Sequence, residues 1–134
     1  MTKGEKEAAA LLEMRKIKAE KIKENQAYTL AKKKLQKRKD LNGNSYIYVE
    51  CPSKISIVAN KLLKENSEID YALCRSTYFK AIENKAFSLR SRGEFDVKMI
   101  AELYDGGGHT QASGFQAKNE QDYNDLISGI KTPI

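Results

Sequence analysis

The stretch DVKMIAELYDGGGHTQASGFQA, residues 96–117, decides how the chain is read. Asp96 has the side chain to cap a helix, and Val97, Ile100, Ala101 and Tyr104 repeat at i, i+3, i+4 and i+7. That spacing makes one apolar stripe on a helix, which needs a surface to bury it. Three glycines follow, Gly106, Gly107 and Gly108, and then His109, the sole histidine of the chain. A single glycine is enough to end a helix. Three glycines cost more backbone entropy on folding, so they point to positive φ or to something approaching the backbone closely. The next residues, His109 to Ser113, are expected to open a short helical turn with free N–H groups. Gly114 to Ala117 are expected to form a short strand. Glycine amides beside a helix N-terminus make a cradle for an anion, with phosphate the usual guest.

Outward from this stretch the same two periods recur. Tyr46–Glu50, Ile69–Cys74 and Lys85–Ser91 read as strands, rich in β-branched and aromatic residues. Ser53 is placed to cap a helix carrying Ile55, Val58, Ala59 and Leu62. Asn119 is placed to cap another, with Tyr123, Leu126, Ile127 and Ile130. Three one-sided helices separated by strands predict an α/β (α+β) fold, a mixed sheet with helices packed on it. In the strand ending Phe87-Ser88-Leu89-Arg90-Ser91, alternation sends Phe87 and Leu89 to the core and Arg90 the other way. At the strand's end, the planar fork of Arg90 suits phosphate oxygens held by the glycine segment. A plain ion pair with a surface carboxylate is the alternative for this arginine.

Composition sets the wider limits. The 134 residues are 40% hydrophobic and 31% charged, ordinary for one folded domain with an extra element. No apolar run reaches the roughly 18 residues of a membrane span, and no apolar signal core opens the chain. The cytosol is the expected compartment. Cys51 and Cys74 make no disulfide scaffold and no zinc spacing, and the carboxylates are scattered, which argues against a self-contained metal centre. The net charge of +6 is uneven. Residues 1–40 hold 13 Lys and Arg against 6 Asp and Glu; residues 41–134 hold 11 against 12. The first 40 residues, rich in Ala, Leu, Glu and Lys, read as a basic helical linker closed by the turn Leu41-Asn42-Gly43-Asn44. The core is expected not to depend on it.

Taken together, Ser88-Leu89-Arg90-Ser91, Asp96-Val97, Ile100-Ala101, Gly106-Gly107-Gly108-His109, Ala112 and Gly114-Phe115 resemble one family. It is the DHH-associated C-terminal domain of the DHH phosphoesterases, which include RecJ-like exonucleases, nano-RNases and cyclic-dinucleotide phosphodiesterases. The likeness covers roughly residues 45–130; one departure is Ser113, where the family usually has alanine. It implies a domain that binds substrate phosphate through Gly106, Gly107, Gly108, His109 and Arg90, with Ser91 and Thr110 as helpers. The ligands implied are short oligonucleotides, single-stranded nucleic acid ends or nucleotides. Catalysis would belong to a separate Asp-His-His domain carrying manganese or magnesium, and nothing in this chain resembles that domain. With one histidine, no such centre forms here, no cofactor of its own is expected, and the chain alone is expected to be inactive. A related domain in alanyl-tRNA synthetases typically has arginine after the glycines, so His109 favours the phosphoesterase branch. A nucleic-acid-binding or assembly module that uses the basic helix is the competing reading.

Overall fold

The computed structural model describes residues 2–134 and confirms a mixed six-stranded sheet with helices packed on it. In chain order the elements are α1 (Lys3–Lys34), β1 (Gln36–Lys39), β2 (Ser45–Cys51), α2 (Ile55–Glu65), β3 (Tyr71–Ser76) and α3 (Phe79–Glu83). They continue with β4 (Ala86–Ser91), α4 (Val97–Leu103), β5 (Gly107–His109), β6 (Ala112–Gln116) and α5 (Glu120–Ser128). Across the sheet the order is β1-β2-β3-β4-β6-β5. Only β2 and β3 run parallel; the other neighbours are antiparallel.

Strand alternation divides the core in two. On one face Tyr46, Tyr48, Tyr71, Leu73, Phe87, Leu89 and Phe115 pack against Val97, Ile100 and Ala101 of α4 and Tyr123 and Leu126 of α5. On the other, Ile47, Val49, Cys51, Ala72 and Cys74 pack against Val58, Ala59, Leu62 and Leu63 of α2 and Ala27 and Ala31 of α1. Two of the expected caps form: Asp96 accepts from the N–H groups of Lys98 and Met99, and Asn119 from that of Asp122. Ser53 does not cap α2, whose N-cap is Lys54 in the left-handed region with φ 59°. Burial pushes the Cys51 thiol up to about 11 and the Cys74 thiol up to about 12, so both act as small core residues.

The N-terminal segment is the expected long basic helix over α1, and it departs from the sequence reading only at its end. Residues 36–39 are a strand, not the end of a helix, and β1 pairs with β2 along its whole length. From β1, Arg38 reaches under α5 and donates to the Leu126 and Ile127 carbonyls at 3.0 and 2.6 Å, satisfying acceptors at the open end of that helix. Its guanidinium also lies 4.2 Å from the centre of the Tyr48 ring. Asp40 is buried; its carboxylate accepts from the Asn42 and Asn44 N–H groups and from the Tyr71 hydroxyl. Helix α1 meets the domain through its second half, where the Lys54 ammonium donates to the Glu20 carboxylate at 2.6 Å. Ala27 and Ala31 are buried, and the Tyr28 hydroxyl donates to the Glu65 carboxylate of α2. Residues 2–23 are exposed throughout.

Two truncations separate these parts. Removing residues 1–19 takes away exposed helix alone, and the domain should keep a cooperative melt with stability changed by no more than about 0.5 kcal/mol. Removing residues 1–40 takes away an edge strand, the Arg38 clamp and the Asp40–Tyr71 bond, and the cooperative transition should be lost. A sharp, unshifted transition in the longer truncation would show that β1 does not hold the core.

Candidate phosphate-binding face

Helix α4 does not end on a glycine. Asp105 takes the left-handed conformation, with φ 62°, and the Gly106 N–H donates to the Ala101 carbonyl at 2.8 Å. The three glycines are therefore available for other work, and each does something different. A Cβ on Gly106 would run into the Gly114 carbonyl and lie 2.6 Å from Phe115 Cβ. Gly108 has φ +143°, and a Cβ there would lie 2.6 Å from the Ala112 carbonyl. Packing alone demands glycine at both. Gly107 is not so constrained: a Cβ would meet nothing within 4 Å, and its φ is not in the left-handed region.

No helical turn opens at His109. Gly107–His109 is the edge strand β5, and it folds back through Thr110 and Gln111 into β6 as a hairpin. The backbone cradle at a helix N-terminus is thus replaced by a sheet face. Register decides what that face carries. Arg90 pairs with Ala112, and Ala112 pairs with His109, so the three stand in one row across β4, β6 and β5. Arg90 and His109 are two strand spacings apart, about 10 Å, with a methyl group between them. The next row is Ser88, Gly114 and Gly107. Since Phe87, Leu89 and Phe115 point to the α4–α5 side, these two rows face the other way. On that other face, the layer of α1 and α2 packs over β2 and β3 and reaches β4, whereas β5 and β6 take their helix contacts from α4. Small residues floored by backbone are left uncovered.

The two ends of the row differ. His109 is exposed and Arg90 half-buried. Arg90 Nη1 donates to the carbonyls of Leu89 at 2.9 Å and Ser113 at 3.3 Å. Its Nε is buried without an acceptor among the described residues. Thus the alternative, an ion pair with a surface carboxylate, is not among its bonds within the described residues, and the unpartnered Nε is shut off from solvent. Ser91 belongs to the opposite side. It is buried, and its hydroxyl donates to the Phe95 carbonyl at 2.6 Å, with the Thr110 carbonyl at 3.3 Å. Thr110 keeps an exposed side chain; its carbonyl also accepts from the Val97 N–H at 2.9 Å. Ser91 and Thr110 therefore tie the hairpin to β4 and α4. Sequence reading missed Ala112 and Gly114 as the floor, although their alternation with buried Ser113 and Phe115 was the available signal.

With this geometry in place, comparison with known families identifies the chain. A model of the DHHA1 domain matches residues 44–132. The chain belongs to the DHHA1 domain family. Comparison with curated proteins returns no match. Among solved structures, an uncharacterized protein from Helicobacter pylori G27 is 24% identical, with a TM-score of 0.54 over 70% of this chain and 27% of its own. The pGpG-specific phosphodiesterase PggH of Vibrio cholerae is 12% identical, with a TM-score of 0.54 over 80% of this chain and 37% of its own. A DHH-domain structure, described as a member of a family of ribosomal proteins, is 14% identical, with a TM-score of 0.54 over 82% of this chain and 30% of its own. At these identities the likeness is one of fold, and this DHHA1 chain spans less than two fifths of those proteins' lengths. Among the described residues, no helix is long and apolar enough to cross a membrane.

The glycines give a stability test. Gly106→Ala and Gly108→Ala should each cost about 1–3 kcal/mol through overpacking or a disfavoured φ. Gly107→Ala should leave stability unchanged or raise it by up to about 1 kcal/mol, because it narrows the unfolded ensemble alone. Denaturant titrations decide this, and equal losses at all three positions would show Gly107 to be structural as well.

Proposed function

We propose that this DHHA1 domain binds the phosphate group of short oligonucleotides, single-stranded nucleic acid ends or nucleotides. The phosphate lies over Ala112, between Arg90 and His109. The observation that carries this reading is the Arg90–Ala112–His109 row above an uncovered glycine floor. The Arg90 guanidinium, whose Nη2 makes no hydrogen bond among the described residues, offers charge and direction to phosphate oxygens, and a histidine ring N–H supplies a second donor from the far side. Gly107, which packing does not demand, lets a ligand approach the β5 backbone. Family membership supports the reading, as does the likeness of fold to a phosphodiesterase specific, by its description, for pGpG.

The role assigned to these residues is binding and orientation rather than bond breaking. Among the described residues, no three His, Cys, Asp or Glu side chains converge as a metal site would require. The manganese or magnesium that the family implies therefore does not fit this chain's own residues, and no step through a metal is assigned to it. Hydrolysis would need a separate DHH catalytic domain, for which this domain would hold the substrate.

Binding of a labelled 5′-phosphorylated trinucleotide tests the proposal. His109→Ala and Arg90→Ala should each weaken it roughly 10- to 100-fold, the range for losing a hydrogen bond to a charged group. Gly107→Val should weaken it at least as much while the thermal melt stays put, because the branched side chain fills the approach and nothing else. Parent-like affinity in all three variants would overturn the phosphate site. Affinity that instead rises with oligonucleotide length and falls steeply with salt would move the contact to the basic helix α1.

A further inference from the structure

Helix α1 begins well outside the domain. Among the described residues, its first side-chain bond to another element is that of Glu20 with Lys54, so residues 3–19 stand free over about 25 Å. A helix of that length is marginal in water by itself, and Leu11, Leu12, Met14 and Ile17 on it are each at least half exposed. Spacing and charge indicate what covers them. Glu7, Ala10, Met14, Ile17 and Lys21 recur at intervals of three and four, with Leu11 alongside, which makes a helix-pairing seam of two heptads. Residues 3–14 hold two lysines against three glutamates, and residues 15–34 hold eight Lys and Arg against two glutamates. A parallel pair of such helices would set glutamate on glutamate and lysine on lysine. An antiparallel pair centred on Met14 sets Glu7 beside Lys21 of the partner subunit and Leu11 beside Ile17 of the partner subunit.

The same arrangement meets a cleft. Between α1 and α2 lies a space of ≈ 650 Å³ whose lining includes Lys21, Lys61 and Lys64 around Tyr28 and the partly exposed Ile57. Of the two carboxylates there, Glu65 is engaged by the Tyr28 hydroxyl and lies 3.9 Å from Lys32, which leaves Glu24 against three ammoniums. In the antiparallel pair the acidic first turn of the second helix reaches the mouth of this cleft. Lys21 belongs to both contacts.

We infer that this chain pairs with a second copy of itself through the free half of α1, antiparallel, with the first turn of each helix against the α1–α2 cleft of the other. The pairing is independent of the phosphate site, lies outside the core of the domain and dissociates on dilution. Sedimentation equilibrium of the full chain over a wide range of concentration tests it. The mass should rise from one chain toward two as concentration increases. Glu7→Lys and Lys21→Glu should each weaken association about tenfold, because like charges then meet twice across the twofold axis. Both side chains are exposed, so neither change should alter the melt of the dilute chain. Combining Glu7→Lys with Lys21→Glu in one chain should restore the dimer, since only an antiparallel pair exchanges those partners. A mass of one chain at every concentration would overturn the inference and leave the helix face to a different protein. A dimer as tight in both single variants as in the parent would place the contact elsewhere and overturn it too. Weakening that the double exchange does not reverse would refute the antiparallel arrangement.

Discussion

The antiparallel pairing of Phe87–Arg90 with Ala112–Phe115 is the constraint on which the rest depends. Strand alternation turns Phe87, Leu89 and Phe115 toward α4 and α5, where they complete the larger core. The same alternation leaves Arg90, Ser88, Ala112 and Gly114 no other place than the opposite face. A slip of β4 by one residue would bury the Arg90 guanidinium and expose Phe87 and Leu89, so the register is strongly held. Hairpin pairing then carries the row one strand further and brings His109 level with Arg90. The candidate site is in this sense a by-product of core packing.

Its openness has a second origin, in the uneven width of the helix layers. Helices α4 and α5 cover one side of the sheet, but on the other side α1 and α2 pack over β2 and β3 and reach only β4. The end of α1 and strand β1 close off the far edge, with Arg38 joined to the carbonyls at the end of α5. Beyond β4 the sheet is left bare, floored by small residues and backbone. A bare sheet face would ordinarily invite covering. Here a guanidinium at one end and an imidazole N–H at the other suit it to an anion.

How much of this could be read from sequence varied with how local the signal was. The α4 and α5 stripes were legible because 3.6-residue spacing and the Asp96 and Asn119 caps agree within one segment. Strand β1 was not. Gln36–Lys39 contains no apolar residue, and its place in the sheet comes from backbone pairing and from the contact of Arg38 with residues 88 and 89 positions away. The glycines were recognised as unusual, but sequence could not show that Gly106 and Gly108 answer to packing and Gly107 does not. The inward place of Ser91 was also legible. The alternation that turned Arg90 outward puts its neighbour inward, where it is buried.

The central claim is that the ligand lies on the Arg90–Ala112–His109 row. Amide chemical-shift mapping of the ¹⁵N-labelled chain with pApA tests it most directly. The account predicts the largest changes at Arg90, Ala112, Gly114, Gly107 and His109, with residues 2–34 unmoved. Changes concentrated on the lysines of α1, with that row silent, would contradict it.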